Sequence, residues 1–320
     1  MKTIDVSIVI VCMNNLRNLY PCLNSILKNT TVDYEIIIVA FLFSDENLQK
    51  LRSDFPTVKI IISNEFRGFS ENNNLALKQA QGKYCFVVND DTFFSDRVID
   101  KLVEDFKKAT DNVAIISPTT LNADGTIQRC GKPKYNLFTY LLYWMKLIGF
   151  YEKNSRYTNG KGIFQTYNIS GACFLIKTDV FRKMGWFDER FYFCPEDIAL
   201  STTLNENGYK CYVDSTIELT HTGGGSWSKT LYATKPAQIK GEIIFYGRKS
   251  SFHKIAVRIL LLVFLPIYSL MWKICYLIKK DEKSKIFCKA YINGLKAIST
   301  HKTPKELFIQ FYKNSPKCIK

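Results

Sequence analysis

Over the first 120 positions, short apolar runs alternate with stretches that repeat their apolar residues at helical spacing. Residues 6–12 form a strand-like apolar run, after which Leu16, Leu19, Leu23, Ile26 and Leu27 recur with a helical period. Residues 35–41 and 58–62 predict the second and third strands. Ser70 is placed to cap a helix carrying Leu75, Ala76 and Ala80. Residues 84–88 are aromatic, β-branched or apolar, as in a strand covered on both faces. A Ser95 cap then precedes a helix with Val98, Ile99, Leu102, Val103 and Phe106, and a strand at 113–117 closes the series. Strands and helices alternating across short links specify a mostly parallel α/β sheet of Rossmann-like form. Ligands of such folds bind beyond the carboxyl ends of the strands, where Asn14, Asn64 and Asp91 fall.

The pattern changes after residue 119. Residues 135–151 (YNLFTYLLYWMKLIGFY) are too short and too aromatic to span a bilayer, and predict a lid or hydrophobic flap, with core as the alternative. Order returns with Ser170-Gly171-Ala172, a strand at 173–176, a short helix and the run Gly185-Trp186-Phe187-Asp188-Glu189. Pro195-Glu196-Asp197 opens a helix that stops near Gly208. A strand at 211–213 leads to a flexible loop from His221 through Gly223-Gly224-Gly225.

Residues 255–278 are strongly apolar but interrupted. Only 14 uncharged residues lie between Arg258 and Lys273, roughly 21 Å of helix against a hydrocarbon core about 30 Å thick. On a helical wheel Lys254, Arg258, Ser269, Lys273 and Lys280 share one face. That is the pattern of a helix lying in the membrane plane, with a spanning helix and an ordinary core helix as alternatives, and Pro266 predicts a kink.

Charge sharpens this division. The 320 residues carry a formal net charge of +15, and residues 229–320 hold 19 Lys and Arg against 4 Asp and Glu. The rest of the chain is balanced, so the excess belongs to a basic helical region at 229–320, distinct from a domain at 1–228. Lys279, Lys280, Lys283, Lys285 and Lys289 predict attraction to an anionic membrane surface. The long apolar stripe, without interleaved Arg and aromatic residues, argues against nucleic acid. Ten scattered cysteines with no C-x-x-C pair read as reduced core residues of a reducing compartment. The first apolar run is too short for a secretion signal.

The sharpest chemical feature is Val87-Val88-Asn89-Asp90-Asp91-Thr92. Adjacent acids at a strand's carboxyl end repel unless a cation or polar ligand lies between them, and hard oxygen ligands there suit Mg²⁺ or Mn²⁺ on a substrate diphosphate. The plainer alternative is a turn whose acids cap the next helix. Glu196-Asp197 likewise suit a helix N-terminus through its dipole. The glycines after His221 could approach phosphate closely or serve as a plain linker, and Arg67 beside Gly68 is either a diphosphate contact or a solvated arginine.

Taken in order, Asn14, Asn64-x-x-x-Gly68-Phe69, Asn72-Asn73-Asn74, Gly82-Lys83-Tyr84, the Asn89-Asp90-Asp91 run, Gly171-Ala172, Gly185-Trp186-Phe187-Asp188-Glu189, Glu196-Asp197 and His221 resemble the inverting family-two glycosyltransferases. The rhamnosyltransferase-like branch of bacterial surface-polysaccharide synthesis is the nearest in pattern, over about residues 4–228. The resemblance implies a GT-A domain that binds a nucleotide-diphosphate sugar and transfers the sugar to a lipid-linked glycan at the cytoplasmic face of the inner membrane. It implies a divalent metal, Mn²⁺ or Mg²⁺, held by Asp91 with His221 nearby. Asp197, rather than Glu196, would be the general base. Asn14, Asp45, Asn64, Arg67, Gly68, Asn89 and Asp90 would line the donor site, Asp90 behind the metal or toward the ribose. Gly171, Ala172 and Trp186 would line the acceptor site.

Two departures count against the family pattern. Ala40 stands where an aspartate contacts the donor base, although Asp45 of the same motif is present. Ala199 and Thr203 replace the later acid and arginine of the base motif. A catalytically inactive scaffold within an assembly complex is the alternative these raise.

Overall fold

The computed structural model describes residues 3–128, 131–223 and 230–313. In chain order its elements are β1 (Val6–Met13), α1 (Leu16–Asn29), β2 (Tyr34–Phe41), α2 (Asp45–Asp54), β3 (Lys59–Ser63), α3 (Phe69–Leu77), β4 (Tyr84–Asn89), β5 (Thr92–Phe93), α4 (Val98–Lys108), β6 (Val113–Leu121) and β7 (Ile127–Gln128). There follow α5 (Leu137–Trp144), α6 (Ile148–Lys153), β8 (Ile163–Thr166), β9 (Cys173–Lys177), α7 (Thr178–Lys183), α8 (Glu196–Glu206) and β10 (Lys210–His221). Four helices complete the chain: α9 (Leu231–Gly247), α10 (Ser251–Lys279), α11 (Glu282–Ser299) and α12 (Pro304–Lys313). Residues cluster into two compact units. One comprises 1–134, 150–188 and 196–223; the other comprises 135–149, 189–195 and 224–320.

The first unit is built on one sheet of order β3-β2-β1-β4-β9-β6-β10-β5. Strands β1 to β4 are mutually parallel, as the strand–helix alternation predicts. Beyond β4 the sheet is mixed, because β9 runs antiparallel between β4 and β6. Side chains alternate across the pleat: Val6, Ile8 and Ile10 pack into one core with α1 and α4, and Val9, Ile37 and Val39 into the other with α3. Both faces are covered, which is why the central strands read as unbroken apolar runs.

Local chemistry differs from expectation at several points. Helix α2 escapes the periodic reading because Leu48 and Leu51 are its only buried residues. Ser70 caps nothing; it is buried inside α3, which starts after Gly68, whose N–H is held by Glu71 Oε2 at 3.1 Å. Ser95 is not a cap either, since α4 begins after Arg97, with no side-chain cap. His221 is the last residue of β10, not part of a loop, and Gly224 and Gly225 lie outside the described residues. The 135–151 stretch divides: Tyr140 and Trp144 are each 1% exposed, whereas Phe138, Met145, Leu147 and Phe150 are exposed.

One acidic pair in the first unit is held at a cost. Asp105 on α4 faces Asp214 on β10, whose Oδ1 already accepts from Thr216 N and Oγ1, each at 2.7 Å. Burial, then Asp214, pushes the Asp105 carboxyl up to about 7. Its Oδ2 is buried without a hydrogen bond. A carboxyl whose folded pKa is raised contributes stability below its unfolded pKa and loses it as pH rises through the folded value. Asp105→Asn brings a permanent donor, so it should raise Tm by a few degrees at pH 8 and little at pH 5. Equal shifts at both pH values in thermal melts would contradict the raised Asp105 carboxyl.

In the second unit α10 lies along α9 and α11. Val257, Leu261 and Leu265 are buried at i, i+4 spacing, Trp272 stacks on Phe287, and Tyr268 on Tyr291. Gly294 of α11 sits where any β-carbon would collide with Ile239, so a glycine there lets α11 close on α9. The rest of α10 is open. Ile259, Leu262, Ile267, Leu270 and Leu277 are each more than half exposed, and Lys254, Arg258 and Lys273 are exposed as well. Among the described residues α10 alone is long and apolar enough to cross a membrane. Pro266 lies within it, and the helix is continuous through that residue.

Candidate active site

Parallel pairing sends the carboxyl ends of β1 to β4 to one edge of the sheet. Asn14, just past β1, holds φ +47°, and its Oδ1 accepts from Ser44 N at 3.1 Å and Asn47 Nδ2 at 2.9 Å. These bonds tie β1 to the start of α2, where Asp45 is exposed. Asn64 follows β3 and is exposed. Arg67 donates to Ser63 Oγ at 3.2 Å and Glu65 Oε2 at 3.0 Å. The asparagine run is structural: Asn74 clamps the backbone of Phe187 from both sides, at 2.9 and 3.1 Å.

Past β4 the chain turns through Asn89, Asp90 and Asp91 into β5. Strand β5 pairs antiparallel with the end of β10 in the register His221↔Thr92, which returns His221 to the acidic turn. His221 Nε2 lies 3.2 Å from Asp91 Oδ1 and 3.3 Å from Asn89 Nδ2. Thr222 N holds the Asp91 carbonyl at 3.0 Å. Gln128 sets the histidine tautomer. Its Nε2 donates to Asn122 Oδ1 at 2.8 Å and to the His221 carbonyl at 2.7 Å. Its Oε1 therefore accepts, at 2.9 Å, and the proton sits on Nδ1 of His221. Nε2 is left as an acceptor, taking a hydrogen bond from Asn89 Nδ2 at 3.3 Å with the Asp91 carboxylate oxygen beside it.

Asp91 Oδ1 is buried and accepts no hydrogen bond, although His221 stands beside it. Two acceptors held at this distance fit a cation between them, and a histidine with its other nitrogen pinned by an amide fits a metal ligand. Among the described residues no group of three or more His, Cys, Asp or Glu side chains converges. A divalent ion here would take two protein donors and complete its shell with phosphate oxygens and water. Behind this pair, burial first and the Asp91 charge next push the Asp90 carboxyl up to about 6, against a bond from the Cys12 thiol that pulls it down. The same burial, with Asp90 nearby, pushes Cys12 up and keeps it a neutral thiol.

Asp197 opens α8. Its Oδ1 accepts from Ile198 N at 2.8 Å and its Oδ2 from Gly171 N at 3.1 Å, with Lys132 Nζ 4.0 Å away. A β-carbon on Gly171 would stand 3.4 Å from that of Asp197. The next residue, Ala172, accepts from Asn89 N at 2.9 Å through its carbonyl. A continuous chain of contacts thus runs from Asp197 through Gly171 and Ala172 to Asn89 and the Asp91–His221 corner. Glu196, beside Asp197, is buried. Trp186 is not drawn into this chain; its neighbours are the Phe181 ring at 5.3 Å and the Arg182 guanidinium at 5.7 Å. Gln128 and Lys132 carry no motif and were invisible without the fold. Gln128 belongs to a two-residue strand, and Lys132 reaches Asp197 only through its bridge to Asn168.

The sequence profile of "Glycosyl transferase family 2" matches residues 7–185. The chain is 25% identical over 205 residues to the O-antigen biosynthesis protein RfbC of Myxococcus xanthus, covering 63% of this chain and 15% of that protein. It is 25% identical over 285 residues to the poly-beta-1,6-N-acetyl-D-glucosamine synthase of Staphylococcus epidermidis, covering 85% of this chain and 64% of that protein. It therefore spans less than two thirds of either relative. The fold resembles GalNAc-T7 solved with UDP, GalNAc and Mn²⁺, with TM-score 0.53, 17% identity, and coverage of 69% of this chain and 44% of that one. It also resembles the mannosyltransferase PcManGT of Pyrobaculum calidifontis in complex with GDP-Man and Mn²⁺, with TM-score 0.52, 13% identity, and coverage of 93% and 87%. At these identities the likeness concerns the fold, which is GT-A.

Proposed function

This chain belongs to glycosyl transferase family 2, and from that premise we propose that it transfers a sugar from a nucleotide-diphosphate donor to a lipid-linked glycan, with inversion, in the assembly of a bacterial surface polysaccharide. The names of the O-antigen and poly-N-acetylglucosamine relatives support the polysaccharide setting. The order of motifs supports the rhamnosyltransferase-like branch. The observation that carries the chemistry is the run of contacts from the Asp91–His221 corner to Asp197.

Asp91 and His221 would hold Mn²⁺ or Mg²⁺, which when bound neutralises the charge that develops on the departing diphosphate. Asn89 and Asp90 flank that corner and are the best-supported donor contacts. Asn14, Asp45, Asn64, Arg67 and Gly68 sit along the same sheet edge, with Asn14 and Arg67 already engaged by their neighbours. Asp197 takes the proton of the acceptor hydroxyl as its oxygen attacks the anomeric carbon. Gly171 N–H and Lys132 hold that carboxylate, and Glu196 lies beside it. Gly171 and Ala172 leave room for the acceptor sugar, and Trp186 is assigned to its outer part.

The open apolar face of α10, with exposed cations along the helix, supports attachment in the plane of an anionic membrane, at the cytoplasmic face where a nucleotide-sugar donor and a lipid-linked acceptor meet. One side of α10 packs on α11, whose Lys283, Lys285, Lys289 and Lys296 do not suit a hydrocarbon core, and this favours attachment in the plane over a spanning helix.

Incubation of the full chain with a panel of nucleotide sugars, Mn²⁺ and bacterial membrane lipid tests the activity. One donor should release free nucleoside diphosphate in a manner abolished by EDTA. Metal-independent release, or none from any donor together with no Mn²⁺-dependent nucleotide binding, would favour the scaffold alternative.

A further inference from the structure

The aromatic stretch at 135–151 is not absorbed by the transfer reaction, and it ends in an unusual cation. Within the second unit, Tyr140 and Trp144 of α5 point inward, and Tyr140 donates to Glu242 Oε2 at 2.6 Å. Gln238 Nε2 donates to the other oxygen, Oε1, at 2.8 Å; burial pushes the Glu242 carboxyl up, against Lys235 and these two bonds, which pull it down. Lys235 is 5% exposed and stands 5.5 and 5.8 Å from the rings of Trp144 and Tyr291. Burial alone would lower its pKa, but Tyr143 and Glu242 beside it raise it, so it stays charged. Its charge is answered by Glu242.

No such answer exists for Lys146, which follows α5 with φ +62°. Its ammonium lies 5.7 Å from the Tyr143 ring and 4.8 Å from the Tyr268 ring, and Tyr268 in turn donates to the Trp144 carbonyl. Among the described residues no acid lies within ion-pair distance of it, and burial together with Lys235 lowers its pKa. Its neighbours in the chain, Met145 and Leu147, are 47% and 48% exposed, as are Phe138 at 58% earlier in α5 and Ile267 and Met271 on either side of Tyr268 in α10.

A cation without a counter-ion, fixed by two aromatic rings that are flanked in the chain by exposed apolar side chains, matches a ligand that is anionic at one end and apolar at the other. We infer that Lys146 binds the phosphate of a lipid head group, with Tyr143 beside it, while Phe138, Met145, Leu147 and the open face of α10 lie among the lipid chains. A soluble anion would meet the charge and leave the apolar side chains in water; a neutral lipid would do the reverse. This site rests on the membrane attachment proposed above and narrows it from a diffuse basic surface to one position.

The test uses the full chain, vesicles of phosphatidylcholine with and without phosphatidylglycerol, and an amine-acylating reagent read by mass spectrometry. Phosphatidylglycerol vesicles should slow acylation of Lys146 at least tenfold while leaving Lys28, exposed on α1, unchanged. Inorganic diphosphate at millimolar concentration should not protect it. Lys146→Gln should weaken binding to these vesicles more than tenfold, beyond the roughly fivefold expected for any one surface lysine, for which Lys280→Gln is the control. Sedimentation with Lys146 still reactive, protection by neutral vesicles alone, protection by diphosphate, or equal losses in the two variants would each overturn the head-group site and leave membrane attachment standing. Failure to sediment with any vesicle would remove both.

Discussion

Asp91→Asn should abolish turnover and weaken Mn²⁺-dependent nucleotide binding by more than about a hundredfold, while the metal-free variant melts no lower than the wild type. The two halves of this result follow from one geometry. Asp91 Oδ1 is buried beside a histidine nitrogen 3.2 Å away that is itself an acceptor, because Gln128 keeps the proton on the opposite nitrogen. Without a cation, that arrangement is two acceptors pressed together, and it costs stability. An amide at position 91 replaces the repelling oxygen with an N–H that Nε2 can share with its bond from Asn89, a gain of about 1 kcal/mol for one hydrogen bond. The same amide is a poor ligand for a hard divalent ion and brings no charge against a diphosphate. Titration calorimetry with Mn²⁺ and nucleoside diphosphates, paired with thermal melts in EDTA, reads both effects. Undiminished metal-dependent binding would take Asp91 out of the metal site. A large drop in Tm without metal would mean that the carboxylate serves the fold.

What the sequence revealed follows from how each feature is encoded. The four parallel strands were legible because both faces of the sheet are covered, which leaves apolar runs no helix of that length would need. The Asn89-Asp90-Asp91 turn was legible because acids at the end of a buried strand have few structural uses. Helix α2 was not, since it buries only Leu48 and Leu51 and shows its period weakly. The antiparallel insertion of β9 was not, because a five-residue apolar strand reads alike in either direction. Helix starts were misplaced for a related reason: Ser70 and Ser95 are good caps by type, but backbone geometry put the starts after Gly68 and Arg97. In the site, the two acids could be named from motifs, but their support could not. Gln128 and Lys132 act through partners 93 and 65 residues away in sequence, and no local pattern marks them. The composition of the aromatic stretch suits a mobile cover and a core equally well, and only the fold shows that Tyr140 and Trp144 are buried while Phe138, Met145, Leu147 and Phe150 are exposed.

Asp197→Asn should lower kcat by about three orders of magnitude, the share general-base catalysis commonly supplies, with nucleotide and Mn²⁺ binding within a few fold of wild type. The carboxylate sits at the first turn of α8, where backbone N–H groups are available. It accepts from Ile198 N and Gly171 N through different oxygens, so an amide can keep one bond and lose the other. That loss is modest, and the fold should survive it. What the amide cannot do is accept a proton from an attacking hydroxyl. The defect should therefore appear in kcat and not in donor affinity, the opposite of the pattern at Asp91. Single-turnover measurements with saturating donor separate these effects, because product release no longer limits the rate. A normal single-turnover rate would transfer the role to Glu196, one residue earlier and buried at the same helix start. Glu196→Gln would then be the slow variant. Slow turnover in Asp197→Asn accompanied by lost donor binding would mean that Asp197 builds the pocket through Gly171 and Ala172 and takes no part in proton transfer.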